Sequence, residues 1–179
     1  ALSPVQFDAL STTHIAALPS TSFAGITPTQ IGAMTPTQFA ALTTTQIASF
    51  SGTQISGLNA TEIAALDTTR LAVMSSGQLG ALTTTQVGSL ATTQLAALKV
   101  SQIQGLTATE IGALSIAQVG ALSAAQVFGL SGSAAAGLQP TQLAAMTNTQ
   151  LLAFSSGAMS RSEEHTSELQ SHLNLVCRL

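Results

Sequence analysis

Charge is what this 179-residue chain has least of. Asp, Glu, Lys and Arg together make up 6% of it, where a soluble domain ordinarily carries about 25%. Lys and Arg number four and the formal net charge is −3. No basic surface can be assembled from four cations, so nucleic acid is excluded as an expected partner. There is no Trp and no Tyr. The one cysteine, Cys177, excludes an internal disulfide. No apolar run approaches the ~20 residues of a membrane-spanning helix. The chain starts at Ala1 with neither a Met nor a basic leader, which reads as a fragment of a longer gene. Hydrophobic residues reach 45%. Intrinsic disorder goes with low hydrophobicity and high charge, and this chain has neither. Its polar surface must come from Thr, Ser and Gln.

What is present is a repeat. Cut every eight residues from Leu2, the chain gives 19 octads that end at Ala153 with no insertion or deletion. The first position is always large and apolar, as in Leu10, Ile26, Met34, Leu42 and Phe50, and the sixth is always apolar, as in Ile15, Phe23, Ile31 and Ile47. The second is Ser, Thr, Asn or Asp in 15 of 19, and the fifth is Gln or Glu in 15 of 19. A register kept this strictly marks the octad as a geometric unit.

The octad "LTTTQIAS" (Leu42–Ser49) shows its local grammar. Thr43 followed three residues later by Gln46 is a capping box. The hydroxyl accepts from the N3 backbone N–H, and the Gln side chain reaches back to the N-cap N–H. Leu42 and Ile47 then take the two positions of the hydrophobic staple. Pro4, Pro28, Pro36 and Pro140 all stand at the third position, which is N1, where a missing N–H costs nothing. Pro19 replaces a cap. Ten of the 14 glycines fall at positions seven and eight. There the turn must end and the chain must bend, and small residues also permit close backbone approach.

One continuous helix is excluded. Its apolar stripe would advance ~80° per octad, and its prolines would each cost roughly 3 kcal/mol. The expectation is an all-α solenoid or superhelix over residues 1–157, with one very short helix per octad and a core of positions one and six. Helices of ~6 residues are unstable alone and must stack. The alternative is a β-solenoid with 16-residue coils. In it Thr27/Thr29, Thr35/Thr37, Thr43/Thr45, Thr83/Thr85 and Thr107/Thr109 would form a coplanar Thr ladder. Ala, Gln and mid-strand proline count against it.

Residues 158–179 break the pattern. They hold three of the seven acids, two of the four basic residues, two of the three His and Cys177. "RSEEHTSELQS" (Arg161–Ser171) resembles the translation of a common short-read sequencing adapter, so the tail is expected to be artefactual. Glu163, Glu164, His165, His172 and Cys177 are therefore not taken as ligands or nucleophile, and their spacing matches no zinc pattern. Leu169, Leu173 and Val176 have helical spacing.

The body offers little chemistry. Its acids are Asp8, Glu62, Asp67 and Glu110, its bases Arg70 and Lys99, and its histidine His14. His14 stands in the fifth-position slot and reads as a substituted capping residue on the solvent side. Glu62 and Glu110 replace Gln, as a capping box permits. Asp67 and Arg70 read as a local surface ion pair, and Lys99 replaces a cap. No phosphate loop and no base–nucleophile pair occurs. The expectations are no enzyme, no catalytic, cofactor or metal residue, and no small-molecule substrate.

"ITPTQ" and "MTPTQ" are faintly similar to the helix start of TAL-effector DNA-binding repeats. The likeness covers five residues, without the basic ones, and reads as convergent helix-start grammar. Over residues 2–153 the pattern Leu-Thr-x-x-Gln-Ile-x-Ala resembles octapeptide arrays within long bacterial surface or secreted proteins. That resemblance implies a spacer or adhesin-like rod, extracellular or at the cell surface. The expected partners are a surface ligand or a second copy, through the Thr-rich face. On the β-solenoid alternative, that face would bind ice or carbohydrate.

Overall fold

A computed structural model of the chain describes residues 6, 7 and 9–161. From the second octad on, each repeat forms one helical segment. They comprise 17 α-helices and one 3-10 helix, running from Thr12–Ala17 to Asn148–Arg161. The fold is an all-α repeat superhelix. Among the described residues there is no strand, so the β-solenoid and the coplanar Thr face built on it are overturned.

The reason is local. In Thr44–Ala48 the Thr43 backbone is extended, at φ −80° and ψ 160°. Its Oγ1 accepts from the Gln46 N–H at 3.2 Å, while Gln46 Oε1 accepts from the Thr43 N–H at 2.8 Å. The hydroxyl that a β-ladder would display is spent on a helix start. Leu42 and Ile47 are 2% and 1% exposed. Even where the second position carries no capping oxygen the helix begins in register. Ala91, Lys99 and Gln139 still donate their backbone N–H groups to Oε1 of Gln94, Gln102 and Gln142, at 2.7, 2.9 and 2.7 Å. The octad with Pro19 at the cap and Ser22 in place of Gln has neither half of the box, and it winds as the 3-10 helix Ser20–Gly25.

Single helices of five residues cannot persist in water; stacking makes them stable. Each packs on the helix three units further on. Thr84–Ser89, for example, lies between Ala60–Ala64 and Ala108–Ala113. The first and sixth positions join into one core running from Phe7 to Phe154, with Phe23 and Phe50 in contact at a centroid separation of 5.6 Å. Each fully buried Leu or Ile contributes roughly 1.5–3 kcal/mol.

The bends are made differently from what the glycine positions imply. Among the described residues no φ is positive, at glycine or elsewhere. Helices end by passing from right-handed backbone at the eighth position (Ala41, φ −80°, ψ −11°) to extended backbone at the next N-cap. The glycines answer a second demand, close approach of successive turns. A Cβ on Gly57 would lie 2.5 Å from the Pro28 carbonyl oxygen, and one on Gly112 2.9 Å from the Gly137 oxygen. Gly105 presses likewise on the Ser76 backbone, Gly137 on Ala108, and Gly80 on the Gly105 oxygen. The pairs Gly32/Gly57, Gly80/Gly105 and Gly112/Gly137 recur at one spacing, because each marks the same crossing of two turns.

The last helix, Asn148–Arg161, runs on past the final octad. Pro4, Asp8 and the adapter-like stretch beyond Arg161, with Glu163, Glu164, His165, His172, Cys177 and the helically spaced Leu169, Leu173 and Val176, lie outside the described residues. No helix among the described residues is long and apolar enough to cross a membrane.

Candidate functional site

The feature that sequence reasoning underestimated is the fifth position. A capping box uses the oxygen of Gln and leaves its NH₂ group without a task, which suggests a solvent-facing side chain. The structure places it inside instead. Every buried polar side chain among the described residues stands at this position: twelve Gln, together with Glu62 and Glu110. Two buried N–H donors must find acceptors. They find them in the preceding turn. Gln46 Nε2 donates to Ile15 O at 2.7 Å and to Leu18 O at 2.8 Å, 31 and 28 residues back. Gln118 does the same to Val87 O and Leu90 O at 3.0 and 2.8 Å, and Gln150 to Val119 O and Leu122 O at 3.0 and 2.7 Å.

These carbonyls lie where a helix of the turn below ends and the extended link begins. The first-position carbonyls receive no backbone donor, while each sixth-position carbonyl already accepts one at its own helix end, as Ile15 O does from the Leu18 N–H at 3.2 Å, and offers the amide its second lone pair. One amide therefore closes the start of its own helix with Oε1 and the end of a helix in the turn below with Nε2. The amide orientation follows, because only the oxygen can accept from the N-cap N–H. The result is a buried polar seam beside the apolar core, interrupted at Ala134.

Substitutions in the seam are read by the same accounting. Arg70 has donors but no acceptor. Its guanidinium donates to the Ala40 carbonyl and to Leu42 O at 3.3 Å, so it joins two turns and is more than half of a surface pair. Asp67 caps that helix through the Arg70 N–H at 2.8 Å, and the two side chains also pair at 3.6 Å, a contact worth ~0–1 kcal/mol. Lys99 reaches back to Ala72 O at 2.9 Å and Asn59 to Gly32 O at 3.1 Å, each 27 residues away. These two second-position side chains thus add an outer tie, whereas Gln139 Nε2 bonds Gly137 O, two residues away, at 3.1 Å. His14 is exposed, and its backbone N–H donates to Ser11 Oγ at 3.2 Å.

Glu62 and Glu110 are the exceptions. Each is 3% exposed. Each carboxyl accepts from its N-cap N–H through Oε2, at 2.7 Å from Asn59 and 2.6 Å from Thr107. Their Oε1 atoms are buried with no hydrogen-bond partner. Desolvation by burial is the main influence on the Glu62 carboxyl. The hydrogen bond from the Asn59 backbone opposes it, and the outcome is a pKa pushed up to about 7. Burial raises that of Glu110 too, against hydrogen bonds from the Thr107 backbone and hydroxyl.

Glu62 also lines a groove of about 430 Å³ with Met34, Pro36, Phe39, Asn59, Ala60, Thr61 and Ala65. No group of three or more His, Cys, Asp and Glu side chains is gathered among the described residues. Glu62 and Glu110 lie in separate turns, and the structure does not bring them together.

A family model described as the ALTTAQ repeat matches residues 61–92. The matched stretch contains "ALTTTQ" (Ala81–Gln86), one full helix start. No curated protein matches the chain, and no solved structure does.

Proposed function

We propose that the chain is a non-catalytic spacer or adhesin-like rod of a bacterial surface or secreted protein, extending or displaying other domains outside the cell. The observation that carries this reading is the polar seam. The buried Gln side chains from Gln38 to Gln150 join one turn to the next, and no group of three or more His, Cys, Asp and Glu is gathered among the described residues. A catalytic site needs a nucleophile, base and orienting group in mutual reach; here the polar chemistry is distributed evenly along the axis. Repeats that contact only near neighbours suit an extensible structural element. The neutral, hydroxyl-rich outer positions suit a surface ligand or a second copy, not nucleic acid and not a small-molecule substrate.

Small-angle scattering on the chain tests the rod. An elongated particle whose cross-section stays constant while its length scales with octad number is expected. A compact globule overturns the spacer reading.

A further inference from the structure

In eleven buried Gln, from Gln38 to Gln150, the fifth-position side chain both accepts and donates; in Glu62 and Glu110 it can donate only if it carries a proton. The register fixes what faces the idle oxygen. Counting back the 31 and 28 residues that Gln78 and Gln86 span to Ile47, Phe50, Ile55 and Leu58 leads from Glu62 to the carbonyls of Ile31 and Met34. From Glu110 it leads to those of Leu79 and Leu82. Where Gln offers an NH₂, a carboxylate sets a third oxygen against two carbonyl oxygens. Oxygen against oxygen in a buried site is repulsive, and a single proton on the carboxyl turns the clash into a hydrogen bond. Consistent with this, Oε1 of both residues is buried without a partner in the hydrogen-bond network.

We propose that Glu62 and Glu110 are proton-gated latches: each binds one proton from solvent on Oε1 and donates it to a carbonyl of the preceding turn, so that deprotonation loosens the superhelix at two chosen joints. The proton adds to the carboxylate oxygen and leaves to water, and no other bond changes. No charge from the helices packed on them interferes. Pro36–Ala40 and Thr84–Ser89, which flank Glu62, carry no titratable group, and neither do Thr84–Ser89 and Gly132–Ala135, which flank Glu110. The nearest charges along the chain from Glu62 are Asp67 and Arg70 of the next octad, and those two pair with each other.

The direction follows from linkage. A carboxyl whose folded pKa lies above its unfolded value holds a proton in the fold that the unfolded chain releases. Its contribution is complete below the unfolded value, about 4.3, and is lost as pH rises, for Glu62 through about 7.

The experiment compares the full chain with the double variant Glu62→Gln/Glu110→Gln from pH 5 to 8 at constant ionic strength. Denaturation midpoints, carboxyl-carbon NMR of the two Glu, and backbone hydrogen exchange at Met34 and Leu82 are read. The parent's midpoint is expected to fall with rising pH and the variant's to stay level. The parent's relative exchange at Met34 should rise about tenfold between pH 6 and 8, the change one titrating group produces over such a range. Equal pH slopes in parent and variant overturn the proposal. So does a parent whose midpoint at pH 8 is restored by sodium, potassium or calcium ions, because the oxygens would then form a cation site.

Discussion

Gln94 donates its amide nitrogen to the carbonyl of Leu66 at 2.7 Å, 28 residues earlier in the chain, while its oxygen accepts from the Ala91 N–H at 2.7 Å. This one side chain ends one helix and begins another. The superhelix repeats the device along its length, and the first prediction concerns it.

Gln94→Leu keeps the volume and removes both functions, leaving the Ala91 N–H and the Leu66 carbonyl without their partner and the Ile63 carbonyl with only the Leu66 N–H. Each buried group left unsatisfied costs about 1–3 kcal/mol. A drop in unfolding free energy of at least about 2 kcal/mol in urea titration is expected. A drop no larger than that of an exposed Thr→Ala change would mean that the seam is not structural.

The crossing glycines and the helix glycines should respond oppositely to the same change. Gly105→Ala forces a methyl into the Ser76 backbone and should destabilise by about 1–3 kcal/mol. Gly88 sits within the helix Thr84–Ser89, with nothing within 4 Å of the place an added methyl would take. Gly88→Ala should be neutral or stabilising by about 0.5–1 kcal/mol. Thermal unfolding of the two variants separates close approach from mere flexibility.

Thr83 and Thr85 look alike in the repeat and do different things. Thr83 Oγ1 accepts from the Gln86 N–H at 3.2 Å, whereas Thr85 is exposed at the outer surface. Thr83→Ala should cost about 1 kcal/mol, and Thr85→Ala should stay within about 0.5 kcal/mol of zero. Two equal effects would contradict the cap assignment.

At Ala91 the repeat lacks a capping oxygen although the Gln94 half of the box is in place. Ala91→Ser supplies it and is expected to stabilise by about 0.5–2 kcal/mol. A rise in unfolding midpoint with an unchanged denaturant slope is the supporting result.

Much of this fold was legible in single octads. Thr43, Gln46, Leu42 and Ile47 announce cap, partner and staple by spacing alone, because a helix start is built from atoms within a few residues of one another. The same locality misled on two points. Gln46 looks complete once its capping bond is drawn, so the donor pair aimed at Ile15 and Leu18 left no trace in its own octad. Gly57 looks like a helix terminator, and its true neighbour, Pro28, belongs to another turn. The oppositely charged Asp67 and Arg70 likewise hid the reach of Arg70 to Leu42.

By itself, then, the sequence determined where each helix begins, which positions are apolar and how strictly the unit repeats. These depend on capping and periodicity, which act over three to five residues. Only the tertiary structure decided that the fifth position is buried, that turns cross at paired glycines, and that Glu62 and Glu110 present an oxygen where their neighbours present a donor. Those facts depend on the chain returning over itself after 28–31 residues. That distance is set by the wide turn made at each link between extended and helical backbone, three of which bring one helix onto another, and no single octad contains it.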